Sequence, residues 1–158
     1  MLDNEKYINY NYGDFESGIQ RIQTAIRHSK WTPDIIVGIV RGGTIPAVYL
    51  SHQLGAPVQM VHYSTIDSSS HKDLNPWVPE EIDQGKKILV VEDIVDSGRT
   101  LKEILAGWKD HVSNPELIRE NVKVAALVAN KSQPVYVDYF DYLIDRDHEQ
   151  RWFIFPWE

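Results

Sequence analysis

Between Ile88 and Leu101 the chain changes character three times. Ile88-Leu89-Val90-Val91 is an unbroken apolar run. Glu92, Asp93 and Asp96 then place three carboxylates within five positions, around apolar Ile94 and Val95. Ser97-Gly98-Arg99-Thr100 follows, and from Leu101 the pattern turns helical. A continuous apolar run suits a strand buried on both faces of a parallel sheet. Small residues at 97, 98 and 100 let backbone N–H groups converge on an anion, and a helix beginning behind them adds its positive end. Ser97 and Thr100 offer hydroxyl groups and Arg99 a cation. Phosphate has no need of carboxylates, whereas vicinal sugar hydroxyls and Mg²⁺ do; Glu92 and Asp93 suit both. The chemistry this order fits is the binding of a sugar phosphate at the carboxyl end of a strand. A solvated acidic turn would explain the carboxylates, but not the succession of strand, acids, small residues and helix.

Such a site needs a rigid frame, and the remaining sequence reads as one. Asp14 is placed to cap a helix running to about Lys30, with Ile19, Ile22 and Ile26 on one face as core. Residues 34–40 form a second buried strand, followed by Arg41-Gly42-Gly43-Thr44 and a helix from about Ile45 to Leu54, with Pro46 in its first turn. Val58–Tyr63 is a third strand. From Ser64 to Gln84 periodicity fails, as expected of a lid or an irregular segment. Strand and helix resume over Lys87–Trp108, and Val122–Ala129 and Tyr139–Ile144 are further strands. Alternating strands and helices imply an α/β fold, a doubly wound, mostly parallel sheet flanked by helices.

Bulk properties narrow the classes. The 158 residues carry 23 acidic and 16 basic side chains, a net charge of −7, which disfavours nonspecific nucleic-acid binding. An anion must therefore be held by local groups. Cysteine is absent, so disulfide and thiolate chemistry are excluded. No apolar run reaches membrane-spanning length and no apolar leader opens the chain, so no membrane partner and a cytoplasmic location are expected. His28, His52, His62, His111 and His148 show no metal-ligand spacing.

The stretch from Ile88 to Leu101 resembles the phosphoribosyl-pyrophosphate (PRPP) motif of type I phosphoribosyltransferases, most nearly the purine-salvage branch with its hypoxanthine-guanine and xanthine-guanine enzymes. Ile-Leu-Val-Val-Glu-Asp also opens response-regulator receiver domains. There it lies near the domain's start, whereas here it falls in the second half of the chain. The resemblance implies a type I phosphoribosyltransferase fold over residues 1–158, with a flexible lid at about 64–84 and a small hood mainly from 131–158. It implies transfer of a phosphoribosyl group from PRPP to a 6-oxopurine, dependent on Mg²⁺, with release of pyrophosphate, in a homo-oligomer (dimer or tetramer).

By the same resemblance, Glu92, Asp93, Ser97, Gly98, Arg99 and Thr100 bind PRPP, and Asp96 stands near the imidazole ring of the base, accepting or sharing its proton. Arg41 and Gly42 form a pyrophosphate loop, where a non-proline cis peptide is expected at Val40–Arg41. His71 and Lys72 reach the pyrophosphate when the lid closes. Lys131 donates to the six-position oxo group of the purine, Trp152 stacks on the base, and Phe153 meets it through its backbone. Glu158 joins Glu92 and Asp93 near the metal. One departure stands out: Ile154 occupies the place where xanthine-guanine enzymes carry an acidic side chain. Two alternatives remain, a phosphoribosyltransferase for another base class such as pyrimidines, and a noncatalytic PRPP-sensing regulator on the same fold.

Overall fold

The computed structural model describes residues 3–63, 75 and 77–158. Five parallel strands form the main sheet: β2 (Ile35–Val40), β3 (Val58–His62), β4 (Ile88–Val95), β5 (Val122–Asn130) and β6 (Tyr139–Ile144), in the order β3-β2-β4-β5-β6. Strand order reverses between β2 and β4, which pair in register from Ile35↔Ile88 to Gly38↔Val91. Crossovers that diverge from two neighbouring strands leave a crevice at their carboxyl ends, where open α/β sheets bind ligands.

Helices cover both faces. On one side α1 (Tyr12–His28) and α2 (Thr44–Leu54) bury Phe15, Ile19, Ile22, Ile26, Ala47 and Leu50 against Ile36, Leu89 and Val91. On the other, α3 (Trp77–Asp83) and α4 (Arg99–Lys109) bury Val78, Ile82, Leu101, Ile104 and Trp108 against Val37, Ile39, Ile88 and Val90. Alternate residues of β4 thus feed opposite cores, which is why the strand reads as continuously apolar. The short α5 (Glu116–Asn121) leads into β5.

The structure departs from the sequence reading in four places. Helix α1 is capped by Asn11 rather than Asp14: the Asn11 side chain accepts from the Asp14 N–H (3.1 Å), and Asp14 accepts from the Asn11 N–H (3.0 Å), a reciprocal capping box. The helix stops at His28, short of Lys30. Within the stretch expected to be irregular, residues 77–83 form α3, because Val78, Pro79 and Ile82 bury one face on the sheet. The remainder of that stretch, including His71 and Lys72, lies outside the described residues except for Asn75 and Gln84.

The fourth departure is a second, two-stranded sheet. Strand β1 (Tyr7–Asn9) pairs in parallel with β7 (Trp152–Ile154), in the register Tyr7↔Trp152 to Asn9↔Ile154. Aromatic packing joins this sheet to the body. Phe155 lies 5.2 Å from Tyr10 and stacks on Trp157 at 5.4 Å, and Trp157 meets Phe15 edge-on at 5.2 Å. The segment after β6 thus shares a sheet with the first strand of the chain. Among the described residues no helix is long and apolar enough to cross a membrane.

Candidate active site

Every described candidate residue outside β7 and the tail after it sits at or beyond the carboxyl end of a main-sheet strand. After β2 the peptide Val40–Arg41 is cis, as expected, and Gly42 and Gly43 lead into α2. A Cβ on Gly42 would overlap the Asp93 carboxyl group, and one on Gly43 would overlap the Val91 carbonyl. Two glycines here let the loop press against β4. After β4, Asp96-Ser97-Gly98 turns the chain into α4. Gly98 takes φ +72 at the N-cap, a left-handed conformation that favours glycine, and the Ser97 hydroxyl accepts from the Arg99 N–H at 3.3 Å.

These two loops enclose a cavity of about 830 Å³, lined by Arg41, Gly42, Glu92, Asp93, Thr100 and Glu158, together with His62, Tyr63 and Trp157. A smaller pocket of about 160 Å³ adjoins it, sharing Glu92 and Thr100 and adding Asp96, Ser97, Gly98 and Arg99. The structure thus gathers the sugar-phosphate candidates and both loops in one place. Arg99 lines the smaller pocket, and its guanidinium pairs with Glu103 along α4 (3.2 Å).

The acidic pair is unusual in its burial. Asp93 is only 7% exposed. Burial pushes its carboxyl from 3.8 up to about 6, helped by the charge of Glu158 and opposed by the Ile94 N–H, which donates to Oδ1 at 2.7 Å. The Trp157 indole N–H also favours the charged form, although it is buried and completes no hydrogen bond of normal geometry. Glu92 is raised well above its ordinary value, by burial first and then by the neighbouring Asp93 charge. A buried and a half-buried carboxylate lifted in this way are suited to meet a cation or hydroxyl donors. Among the described residues no group of three or more His, Cys, Asp or Glu side chains is arranged to hold a metal. Glu158 instead accepts from the Phe155 N–H at 3.2 Å.

The base candidates lie apart from both cavities. Lys131 follows β5; its backbone N–H bonds the Ile144 carbonyl (2.9 Å) and its ammonium pairs with Asp145 at 2.6 Å. Trp152 is 62% exposed, and the side chain of Phe153 is buried in the core. Asp96 is gripped by Arg146, whose Nε reaches Oδ1 and Oδ2 at 3.0 and 3.1 Å while Nη2 reaches Oδ2 at 2.8 Å. Asn130 donates to the Asp96 carbonyl at 3.2 Å. Sequence reasoning missed Asn130, Asp145 and Arg146. Their signal was positional: polar residues directly after the apolar runs of β5 and β6, at the same sheet edge as the motif.

A family model described as the phosphoribosyl transferase domain matches residues 10–158. The chain belongs to the phosphoribosyl transferase family. This phosphoribosyltransferase is 26% identical over 127 residues to the xanthine-guanine phosphoribosyltransferase of Gluconobacter oxydans, an alignment covering 78% of this chain and 67% of that one. The crystal structure of a purine phosphoribosyltransferase from Pyrococcus horikoshii superposes with a TM-score of 0.69 at 27% identity, covering 96% and 94% of the two chains. The Helicobacter pylori xanthine-guanine-hypoxanthine phosphoribosyltransferase shares the fold, with a TM-score of 0.68 at 22% identity over 96% and 93%. The five-stranded parallel sheet with helices on both faces is the type I phosphoribosyltransferase fold, and the protein is an enzyme of that class.

Proposed function

We propose that this phosphoribosyltransferase transfers the phosphoribosyl group of PRPP to a 6-oxopurine (hypoxanthine, guanine or xanthine), giving the nucleoside monophosphate and pyrophosphate in purine salvage. The observation that supports this reading is that Arg41 and Gly42 after β2 and the stretch Glu92–Thr100 line two adjoining pockets that share Glu92 and Thr100.

In this reading the N-terminus of α4, with Ser97, Gly98, Arg99 and Thr100, holds the 5′-phosphate through converging N–H groups and hydroxyls. Glu92 and Asp93 accept from the ribose hydroxyls. Arg41 and Gly42 bind the pyrophosphate and stabilise its departing charge. Asp96 accepts or shares the imidazole proton as the base attacks the anomeric carbon. Lys131 donates to the six-position oxygen, Trp152 stacks on the base, and the Phe153 backbone meets its edge.

The donor set fits Mg²⁺. Glu92 and Asp93 are hard oxygen ligands, both lifted in pKa by burial, and Mg²⁺ commonly takes one or two carboxylates and completes its shell with water and substrate oxygens. Bound there, with Glu158 nearby, the ion would neutralise charge on the leaving pyrophosphate. We place residues 1–158 in one catalytic unit in the cytoplasm and assign it a homo-oligomeric state; exposed Phe140, Tyr142 and Leu143 on edge strand β6 support the latter.

The test is pyrophosphate release with PRPP, Mg²⁺ and a panel of bases. Release with hypoxanthine, guanine or xanthine, and none with pyrimidines, is expected. Absence of release with every purine would sink the reading.

A further inference from the structure

The charged groups assigned to the base are both held by one short turn. Asp145 and Arg146, adjacent residues directly after β6, point to different partners: Asp145 pairs with Lys131 at 2.6 Å, and Arg146 with Asp96. Arg146 does more than form an ion pair. While Nε and Nη2 hold the two oxygens of Asp96, Nη1 donates to the backbone carbonyls of Glu149 (3.0 Å) and Arg151 (2.7 Å). All three guanidinium nitrogens are therefore engaged. Arg151 is the residue before Trp152, so a single planar group spans from the loop after β4 to the start of β7.

We propose that Arg146 is a positioning residue: it fixes Asp96 and the segment leading into Trp152 as one unit, and so sets where the base ring meets its proton acceptor. This rests on the functional reading above and adds a residue to it.

Three physical points support the assignment. A planar fork binds a carboxylate in a defined orientation, unlike a point charge on a flexible stem. Its side chain is only 21% exposed, and both of its attachments are to loops, where a polar anchor has most to fix. An exposed ion pair between two rigid elements would contribute little; here the same guanidinium bonds the Asp96 carboxylate and the carbonyls of Glu149 and Arg151, and so links two loops far apart in sequence. Finally, Arg146 does not exhaust Asp96 as an acceptor. A carboxylate has about four lone-pair positions, and the residue still lines the smaller pocket. Asn130 donates to the Asp96 carbonyl at 3.2 Å and reaches Oδ1 only at 3.5 Å, so the shorter bonds from the arginine dominate the orientation of the side chain.

The experiment is steady-state kinetics on the full chain with PRPP, Mg²⁺ and the purine that the wild type uses best. The variants are Arg146→Met, Arg146→Lys, Asp96→Asn and the double variant Asp96→Asn/Arg146→Met. A misplaced reacting group costs on the order of a hundredfold, so Arg146→Met should lower kcat by about tenfold to a hundredfold. KM for PRPP should stay within about twofold, because the hydrogen bonds of Arg146 go to Asp96, Glu149 and Arg151 and not to the groups assigned to the phosphates. Arg146→Lys should recover part of the loss. The double variant should be about as slow as Asp96→Asn alone, since a positioning residue has nothing to add once its target is disabled.

Multiplicative losses in the double variant, or wild-type kcat in Arg146→Met with only a lower melting temperature, would overturn the proposal. If Arg146→Met does not fold, the lysine variant decides: slowed in the wild-type background and without effect beside Asp96→Asn, it upholds the proposal, and any other pattern refutes it. A wild type that turns over no purine would defeat the functional reading itself. An active wild type with indifferent Arg146 variants would defeat this inference alone.

Discussion

Gly42 and Asp93 are in such close apposition that the carboxyl group fills the space a side chain on residue 42 would need. The loop after β2 and the acidic end of β4 are thereby locked face to face, and the space between the two loops depends on a missing methyl group.

Gly42→Ala should therefore displace Asp93 or the loop. Overpacking of this kind costs roughly 1–3 kcal/mol of stability, and affinity for PRPP with Mg²⁺ should fall by at least about tenfold. Calorimetric titration gives the affinity and thermal melting the stability. Wild-type values in both would mean that the apposition has no bearing on binding.

Asp93 should be a stability liability in the unliganded protein. Its folded pKa of about 6 lies above the ordinary 3.8, so the folded state holds the proton more tightly. Stability then falls as pH rises through the window from about 4 to about 6, and the full penalty remains above it. A rise of that size corresponds to roughly 3 kcal/mol. Asp93→Asn should raise the melting temperature at neutral pH, and the gain should disappear near pH 4, while affinity for PRPP with Mg²⁺ drops. A gain of equal size in acid would exonerate the charge.

Asp141 ties three elements together. Its side chain is almost fully buried, accepting from the Tyr10 hydroxyl at 2.8 Å and from Arg21 Nε at 2.5 Å. Burial and the Asp141 bond hold the Tyr10 phenol well above its usual range. Asp141→Ala leaves that hydroxyl unmet in the interior and should cost about 2–3 kcal/mol; Tyr10→Phe, which removes only one bond, about 1 kcal/mol. Urea unfolding measures both, and equal, negligible losses would show the cluster to be incidental.

Lys131 should select 6-oxopurines over adenine. Its three N–H donors suit an oxo acceptor, whereas adenine brings an amine to the same point. Losing a bond to a charged donor costs roughly 1.5–3 kcal/mol, about a tenfold to hundredfold preference. Lys131→Met should flatten the preference by slowing the oxo substrates. Equal efficiency with adenine and hypoxanthine in the wild type would refute the role.

The legible parts of the sequence were those in which a local pattern fixes the answer. β4 was visible because burial on both faces demands an unbroken apolar run, and the turn into α4 because it needs small residues. The Arg41–Gly43 loop was less specific alone, and gained meaning beside the acidic pair. Arg146 offered only its position after the apolar run of β6: its partner Asp96 is 50 residues away and meets it only through the sheet order, which spacing does not encode. β1 escaped notice because Tyr7-Ile8-Asn9 is too short to show a period. Asn11, not Asp14, caps α1 because the two residues satisfy each other reciprocally, so an acid inside the first turn resembles a cap when read alone.

The pairing of β1 with β7 gives the enzyme a late-closing clasp. Its two strands are three residues each and lie nearly the whole chain apart, so few hydrogen bonds must offset a long loop closure. Contacts of such sequence separation form after the local ones, and small peripheral units open at lower free energy than the central sheet. Trp152, whose N–H bonds the Lys6 carbonyl at 2.9 Å, is held by this clasp. Trp152, proposed here to stack on the base, would therefore take its place only after the loops that follow β2 and β4 have formed.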